Sequence, residues 1–166
     1  MALSSHDLPL GTPCPSFTLS SVDGKTYSLA DFSGKKALLV AFICKHCPYV
    51  KAIEDELLGL ADIDGLQVVA ICSNDAEKYP DDSPASLLQH WRHKNYRFPY
   101  LIDATQEVAK SFDAVCTPDL FLFDAERKLY YHGWFKDLES AIKGLLNDQP
   151  PPANQQHSIG CSIKWL

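Results

Sequence analysis

No stretch of this sequence approaches the roughly 20 consecutive apolar residues needed to cross a bilayer, which argues against a membrane partner. Nor is there a surplus of positive charge. Twenty-one Asp and Glu against 15 Lys and Arg leave a formal net charge of -6, so a nucleic-acid partner is disfavoured. There is no internal repeat, and no lysine- or glycine-based phosphate motif accompanies the acidic stretch around Asp75, Glu77, Asp81 and Asp82. That stretch therefore reads as a solvated loop. The opening MALSSHDLPLGTPCPSF has neither a basic segment nor a long apolar one, so a secretory leader is not expected. With 166 residues, 46% of them hydrophobic, the chain is long enough to bury one core of its own.

Six cysteines are present: Cys14, Cys44, Cys47, Cys72, Cys116 and Cys161. An even set suggests a disulfide framework in short secreted chains that lack a core. Here a core and no leader point instead to a reducing, cytoplasmic compartment, with most thiols free and one pair reactive. Cys72, closing the apolar run LQVVAIC, reads as a small buried hydrophobe. Cys14, between prolines, has no evident role.

Two continuously apolar runs, Ala37 to Ile43 and Leu66 to Cys72, suit strands covered on both faces. Between them Val50, Ile53, Leu57 and Leu60 recur at helical spacing, with Lys51, Glu54, Asp55 and Glu56 on the other face. Strand, helix and strand make a right-handed crossover with parallel strands. Ser83 and Pro84 signal the cap and first turn of a second helix, with Leu87, Leu88 and Trp91 turned inward. FPYLID is a short strand, and Thr105 can cap a third helix. DLFLFDAERKLYYHGWF reads as a hairpin, Leu138 to Leu146 as a last helix, and FTLSSVDGKTYSLADF as an N-terminal hairpin turned at Asp23-Gly24. The proline- and amide-rich NDQPPPANQQHS should be extended. The expected organisation is an α/β domain over residues 1–147 with a mixed sheet, and a tail over 148–166. That tail is expected to pack back on the domain, as it must if Ile163 and Trp165 are to be buried.

The motif C-K-H-C, residues 44 to 47, carries the chemistry. A helix starting just after Ile43 would leave unpaired amides and a dipole that favour an anion. Pro48 would lose nothing in that first turn. Cys44 would then be an exposed thiolate supported by Lys45 and a protonated His46, attacking disulfides while a shielded Cys47 resolves the mixed disulfide. A lone C-x-x-C is also half of a zinc site, with His46 and Cys161 as imaginable further ligands for zinc or copper, so a metal-binding module stays open. His90 and His93 fall on one helical face, which reads as solvated rather than as a metal site.

The segments CKHCPYVKAI, SNDAEKYPDDSP, FPYLIDATQEVAKSF, TPDLFLFD and GCSIKW resemble those of thioredoxin-fold proteins of the peroxiredoxin-like, AhpC/TSA-related group. The likeness runs from about Gly11 to Trp165. It implies a thioredoxin-like fold with a mixed central sheet and an N-terminal hairpin extension, and an activity in thiol–disulfide exchange that needs no cofactor. Partners would be protein or small-molecule disulfides and a thiol reductant. It also implies a cis bond at Thr117-Pro118, facing the C-x-x-C, where Thr117 would pair with a substrate strand. Two departures stand out: the family's buried acid before the first cysteine is Leu38, and the preceding tryptophan is Ile43. His46 is left as the nearby titratable group. A peroxiredoxin-like peroxidase is the other enzymatic alternative. It is disfavoured because that group's proline and threonine, seven and three residues before its peroxidatic cysteine, match neither Cys44 nor Cys47. Cys161 is a candidate third redox thiol, and Cys116 a packing thiol beside the cis-proline.

Overall fold

The computed structural model describes residues 2–166. In chain order its strands and helices are β1 (Ala2–Ser4), β2 (Thr18–Ser21), β3 (Thr26–Ser28), β4 (Ala37–Phe42), α1 (Pro48–Gly59), β5 (Leu66–Cys72), α2 (Pro84–His93), β6 (Tyr100–Ile102), α3 (Glu107–Phe112), β7 (Cys116–Thr117), β8 (Asp119–Phe123), β9 (Leu129–His132), α4 (Leu138–Leu146) and β10 (Ile159–Ser162). Seven strands form one sheet in the order β3-β2-β6-β5-β4-β8-β9. Its centre is parallel, β4 with β5 and β5 with β6, and both flanks are antiparallel. The mixed sheet is the one the sequence predicts.

Every residue of β4 is buried, which is the reason its sequence shows no polar alternation. Successive side chains enter different cores. Leu39, Ala41, Val68 and Ala70 join a cluster with Val50, Leu57, Leu87 and Ile142 from α1, α2 and α4. Leu38, Val40, Phe42, Val69 and Ile71 join Phe112 and Ala109 of α3, with Phe121 and Phe123. Phe112 meets Phe42 and Phe121 edge-on at centroid distances of 5.2 and 5.3 Å, so this second face is largely aromatic.

Local signals were reliable. Gly24 takes φ +88 in the β2–β3 turn, a conformation an L side chain resists. Ser83 caps α2 by accepting a hydrogen bond from the Ser86 amide at 3.3 Å. α3 differs in detail: its cap is Gln106, at φ +66, with Thr105 one residue earlier. Glu54 also departs from its expected outward place. It is buried, accepting from the Tyr96 hydroxyl at 2.6 Å and paired with His90 Nε2 at 2.6 Å. Burial is tolerated because the charge is partnered. His90 accordingly belongs to this cluster rather than to a solvated face, whereas His93 is exposed.

A second, three-stranded sheet, β1-β10-β7, is built from the two chain ends and the segment before β8. β10 pairs antiparallel with β7, placing Cys161 opposite Thr117 and Ser162 opposite Cys116, and β1 pairs with the outer side of β10. Ile163 is buried in the aromatic core, but Trp165 is 38% exposed, with Lys110 Nζ 5.9 Å from its ring centroid. The expected burial of Trp165 therefore does not occur. After Ile163 the chain runs out along the surface.

Candidate active site

Cys44 and Cys47 lie between the end of β4 and the start of α1, at the edge of the parallel centre of the sheet, where α/β proteins place sites. The helix begins later than the sequence suggested. Its first residue is Pro48 and its cap is Cys47, so the dipole acts on Cys47 and not on Cys44. Cys44 and Cys47 are both buried, 6% and 3% exposed, which corrects the expectation of an exposed first thiol.

The cationic support predicted for Cys44 is engaged elsewhere. The Lys45 amide donates to Asp82 Oδ1 at 2.9 Å, and Lys45 Nζ donates to Ser86 at 2.9 Å. His46 pairs with Asp81. Asp82 itself is buried, held also by the Asn74 side-chain amide at 2.9 Å, and is no part of a solvated loop. Asp75 is buried too, its Oδ1 taking the Glu77 amide at 3.0 Å. The sequence missed this because isolated carboxylates in a polar stretch look the same whether or not donors from β4 and β5 ends reach them.

These neighbours set the two thiols apart. The hydrogen bond to Cys47 pushes the Cys44 thiol up, burial adds to it, and the Asp82 carboxylate adds further; the Thr117 hydroxyl, 3.5 Å away, opposes them. Cys47 goes the other way, down to about 4. The Cys44 S–H is the main cause, and the Cys161 side chain, the Thr117 hydroxyl and the Cys161 backbone N–H also favour its anion, against burial. The Thr117 carbonyl, 3.2 Å from Cys47 Sγ, is the contact that a protonated Cys47 would satisfy. The two shifts thus run in opposite directions, Cys44 up and Cys47 down.

The Thr117-Pro118 bond is cis and faces the two thiols. Asp119, immediately after it, is buried and bonded to His132 Nε2 at 2.6 Å; burial raises its carboxyl and His132 opposes the rise. The His132 ring stacks on Phe121 at 4.2 Å. This buried pair steadies the chain directly behind the proline, and nothing in the sequence singled it out. The edge at Thr117 is not free: β10 occupies it. Cys116 is fully buried on the same strand, its thiol pushed up by burial, in keeping with a packing role. Burial also raises Cys72, and raises Cys14 to about 12.

A cleft of about 120 Å³ opens onto Cys44, Cys47 and Cys161 between His46, Tyr79 and Lys164. Beside Pro118 a second groove, about 250 Å³, is walled by Tyr49, Ile53, Trp134 and Ile159. Among the described residues no group of three or more His, Cys, Asp or Glu side chains is arranged to hold a metal ion.

The Redoxin family pattern matches residues 9–144. The chain belongs to the Redoxin family. Over its full length it is 42% identical to an uncharacterized conserved protein from Geobacillus kaustophilus, with a TM-score of 0.97 and 97% of that chain covered. It is 26% identical over 124 residues to the thiol-disulfide oxidoreductase ResA of Bacillus thuringiensis subsp. konkukian, covering 74% of this chain and 68% of that protein. The thioredoxin domain of a thiol-disulfide oxidoreductase from Bacteroides vulgatus superposes with a TM-score of 0.68 at 21% identity, over 82% of this chain and 97% of that one. The fold is therefore thioredoxin-like, as the sequence resemblance implied. No helix among the described residues is long and apolar enough to cross a membrane.

Proposed function

We propose that this Redoxin-family protein is a thiol–disulfide oxidoreductase working through Cys44 and Cys47. The observation that carries the reading is geometric: Cys44 and Cys47 meet at the start of α1, both sulfurs touching Thr117 beside its cis bond to Pro118, and the downward shift of the Cys47 thiol favours that sulfur as the thiolate. A thiolate is the species that attacks a disulfide sulfur. Cys47 forms the mixed disulfide, Cys44 displaces the product from it, and the protein is left with a Cys44–Cys47 disulfide. A thiol reductant then regenerates the dithiol, as a reducing compartment such as the cytoplasm would supply it. Lys45 and His46 act at one remove: Lys45 anchors Asp82 through its amide, and His46 with Asp81 borders the cleft. Thr117 positions both sulfurs, and Pro118 shapes the apolar groove beside them. Electrons pass between sulfur atoms, so the exchange needs no organic cofactor.

The alternatives lack comparable support. For a metal-binding module, the imidazole of His46 is turned to Asp81, and the described residues hold no group of three or more His, Cys, Asp or Glu side chains arranged to bind zinc or copper. For a peroxidase, Val40 and Cys44 stand at the positions of the family's proline and threonine.

Disulfide reduction in insulin or a small aromatic disulfide, driven by dithiothreitol, tests the reading. Wild type should turn over, Cys47→Ser should lose exchange while keeping its fold, and Cys44→Ser should fall sharply. Wild type with six free thiols and no disulfide reduction would rule the function out.

A further inference from the structure

The strand preceding Pro118 already has a partner, and that partner is the protein's own end. β10 runs antiparallel along β7 with Cys161 directly across from Thr117, the residue whose carbonyl and hydroxyl touch Cys47 and Cys44. Cys161 lines the same cleft as Cys44 and Cys47. Of the three thiols lining that cleft, Cys44 and Cys47 are buried and Cys161 is half-exposed.

The seat is built rather than incidental. A methyl group on Gly160 would stand 2.0 Å from the Thr117 carbonyl oxygen, so only glycine lets the strand come this close. Gly133 makes the same allowance upstream, where a side chain would meet the Gln156 carbonyl at 2.5 Å. Beyond Cys161, the Ile163 amide donates to the Val115 carbonyl at 3.0 Å. The Lys164 amide donates to Asn74 Oδ1 at 2.8 Å, and the Lys164 carbonyl accepts from the Asp75 amide at 2.8 Å and from Gln106 at 2.9 Å. These bonds fix the register that sets Cys161 opposite Thr117, at the cleft onto which Cys47 opens.

We infer that the C-terminal strand is a built-in substrate: Cys161 is a third redox thiol, and its disulfide partner is Cys47. The inference rests on the dithiol–disulfide activity proposed above. A low-molecular-weight disulfide RSSR, small enough for the cleft, is attacked by the Cys47 thiolate; its S–S bond breaks, and RS⁻ leaves and takes a proton. The Cys161 sulfur, giving up its proton to solvent, attacks Cys47 Sγ and expels the second RS⁻, which is protonated in turn. RSSR has gained two electrons and two protons, and the protein holds a Cys47–Cys161 disulfide. The Cys44 sulfur, once deprotonated, can then attack Cys47 Sγ, closing Cys44–Cys47 and returning Cys161 as a thiol. Cys47 is thus the shared sulfur of two alternative disulfides.

Oxidised glutathione is the probe, with peptide mapping of the non-reduced protein as readout. In Cys44→Ser, glutathione should be lost from Cys47 as a Cys47–Cys161 disulfide forms. In Cys44→Ser/Cys161→Ser the Cys47–glutathione adduct should persist, its loss slowed about tenfold or more because an intramolecular thiol at high effective concentration has been removed. Gly160→Ala, which pushes the strand off its seat, should slow closure while leaving all three thiols present. Cys44→Ser that accumulates the Cys47 adduct with Cys161 still open to alkylation overturns the inference, even where wild type reduces insulin. Absence of any exchange in wild type overturns the dithiol reading instead.

Discussion

If Cys47 carries a charge in the folded protein, reduced protein must become more stable as pH rises, and the slope is calculable. Its thiol lies at about 4 in the native state against 9.0 without perturbation. Between those values the unfolded chain binds one more proton than the native one, so stability increases with pH. The contribution is complete above the unfolded value and lost as pH falls towards the folded one. One proton corresponds to about 1.4 kcal/mol per pH unit, so about 2–3 kcal/mol accrues between pH 5 and pH 7. Cys44, raised by its bond to Cys47, contributes in the opposite sense only at alkaline pH, outside this window. Urea unfolding of the reduced protein across pH 5 to 8 measures the slope, and Cys47→Ser subtracts the titration of every other group. The difference between the two curves should widen steadily with pH. Thiolate absorbance in the ultraviolet, vanishing in Cys47→Ser and shifted to higher pH in Cys44→Ala, reports the same charge directly. Parallel curves for wild type and Cys47→Ser would refute the assignment of the anion.

Two further expectations concern the buried groups around the pair. The Tyr100 hydroxyl is fully buried and is a side-chain polar atom without a hydrogen-bond partner among the described residues. Tyr100→Phe should therefore be neutral or stabilise by about 1 kcal/mol in thermal or urea unfolding, since an unpaired buried hydroxyl costs about 1–3 kcal/mol; a loss of stability would reveal a partner. Asp82→Asn removes the carboxylate that helps hold Cys44 protonated. It should lower the pH at which a second thiolate appears in the ultraviolet titration. It should also cost about 1–3 kcal/mol, because an amide cannot accept from both the Lys45 amide and Asn74. An unchanged second titration would show that Asp82 does not act on Cys44.

Much of this protein could be read from one end of its sequence to the other. The buried runs 37–43 and 66–72, the stripe of Val50 and Leu57, the cap at Ser83 and the turn at Asp23-Gly24 are local patterns. Backbone propensity and periodicity act over a few residues, and the strands and helices appear where those patterns lie. The C-x-x-C at a strand-to-helix junction was equally legible, and so was the tail's final motif as something specific.

Charge and contact were decided at long range. The opposite shifts of the two thiols depend on Asp82, reached from 37 residues away by the Lys45 amide, and on Cys161, 114 residues beyond Cys47. Glu54 and Asp75 look like surface acids until Tyr96, His90 and the chain around Glu77 close on them. By itself, then, the sequence determined the strands, the helices and the neighbourhood of the chemistry, because those follow from short-range sterics and hydrophobic period. Tertiary structure alone decided what surrounds each sulfur and what covers it, because desolvation and hydrogen bonding depend on groups that only the folded chain brings together.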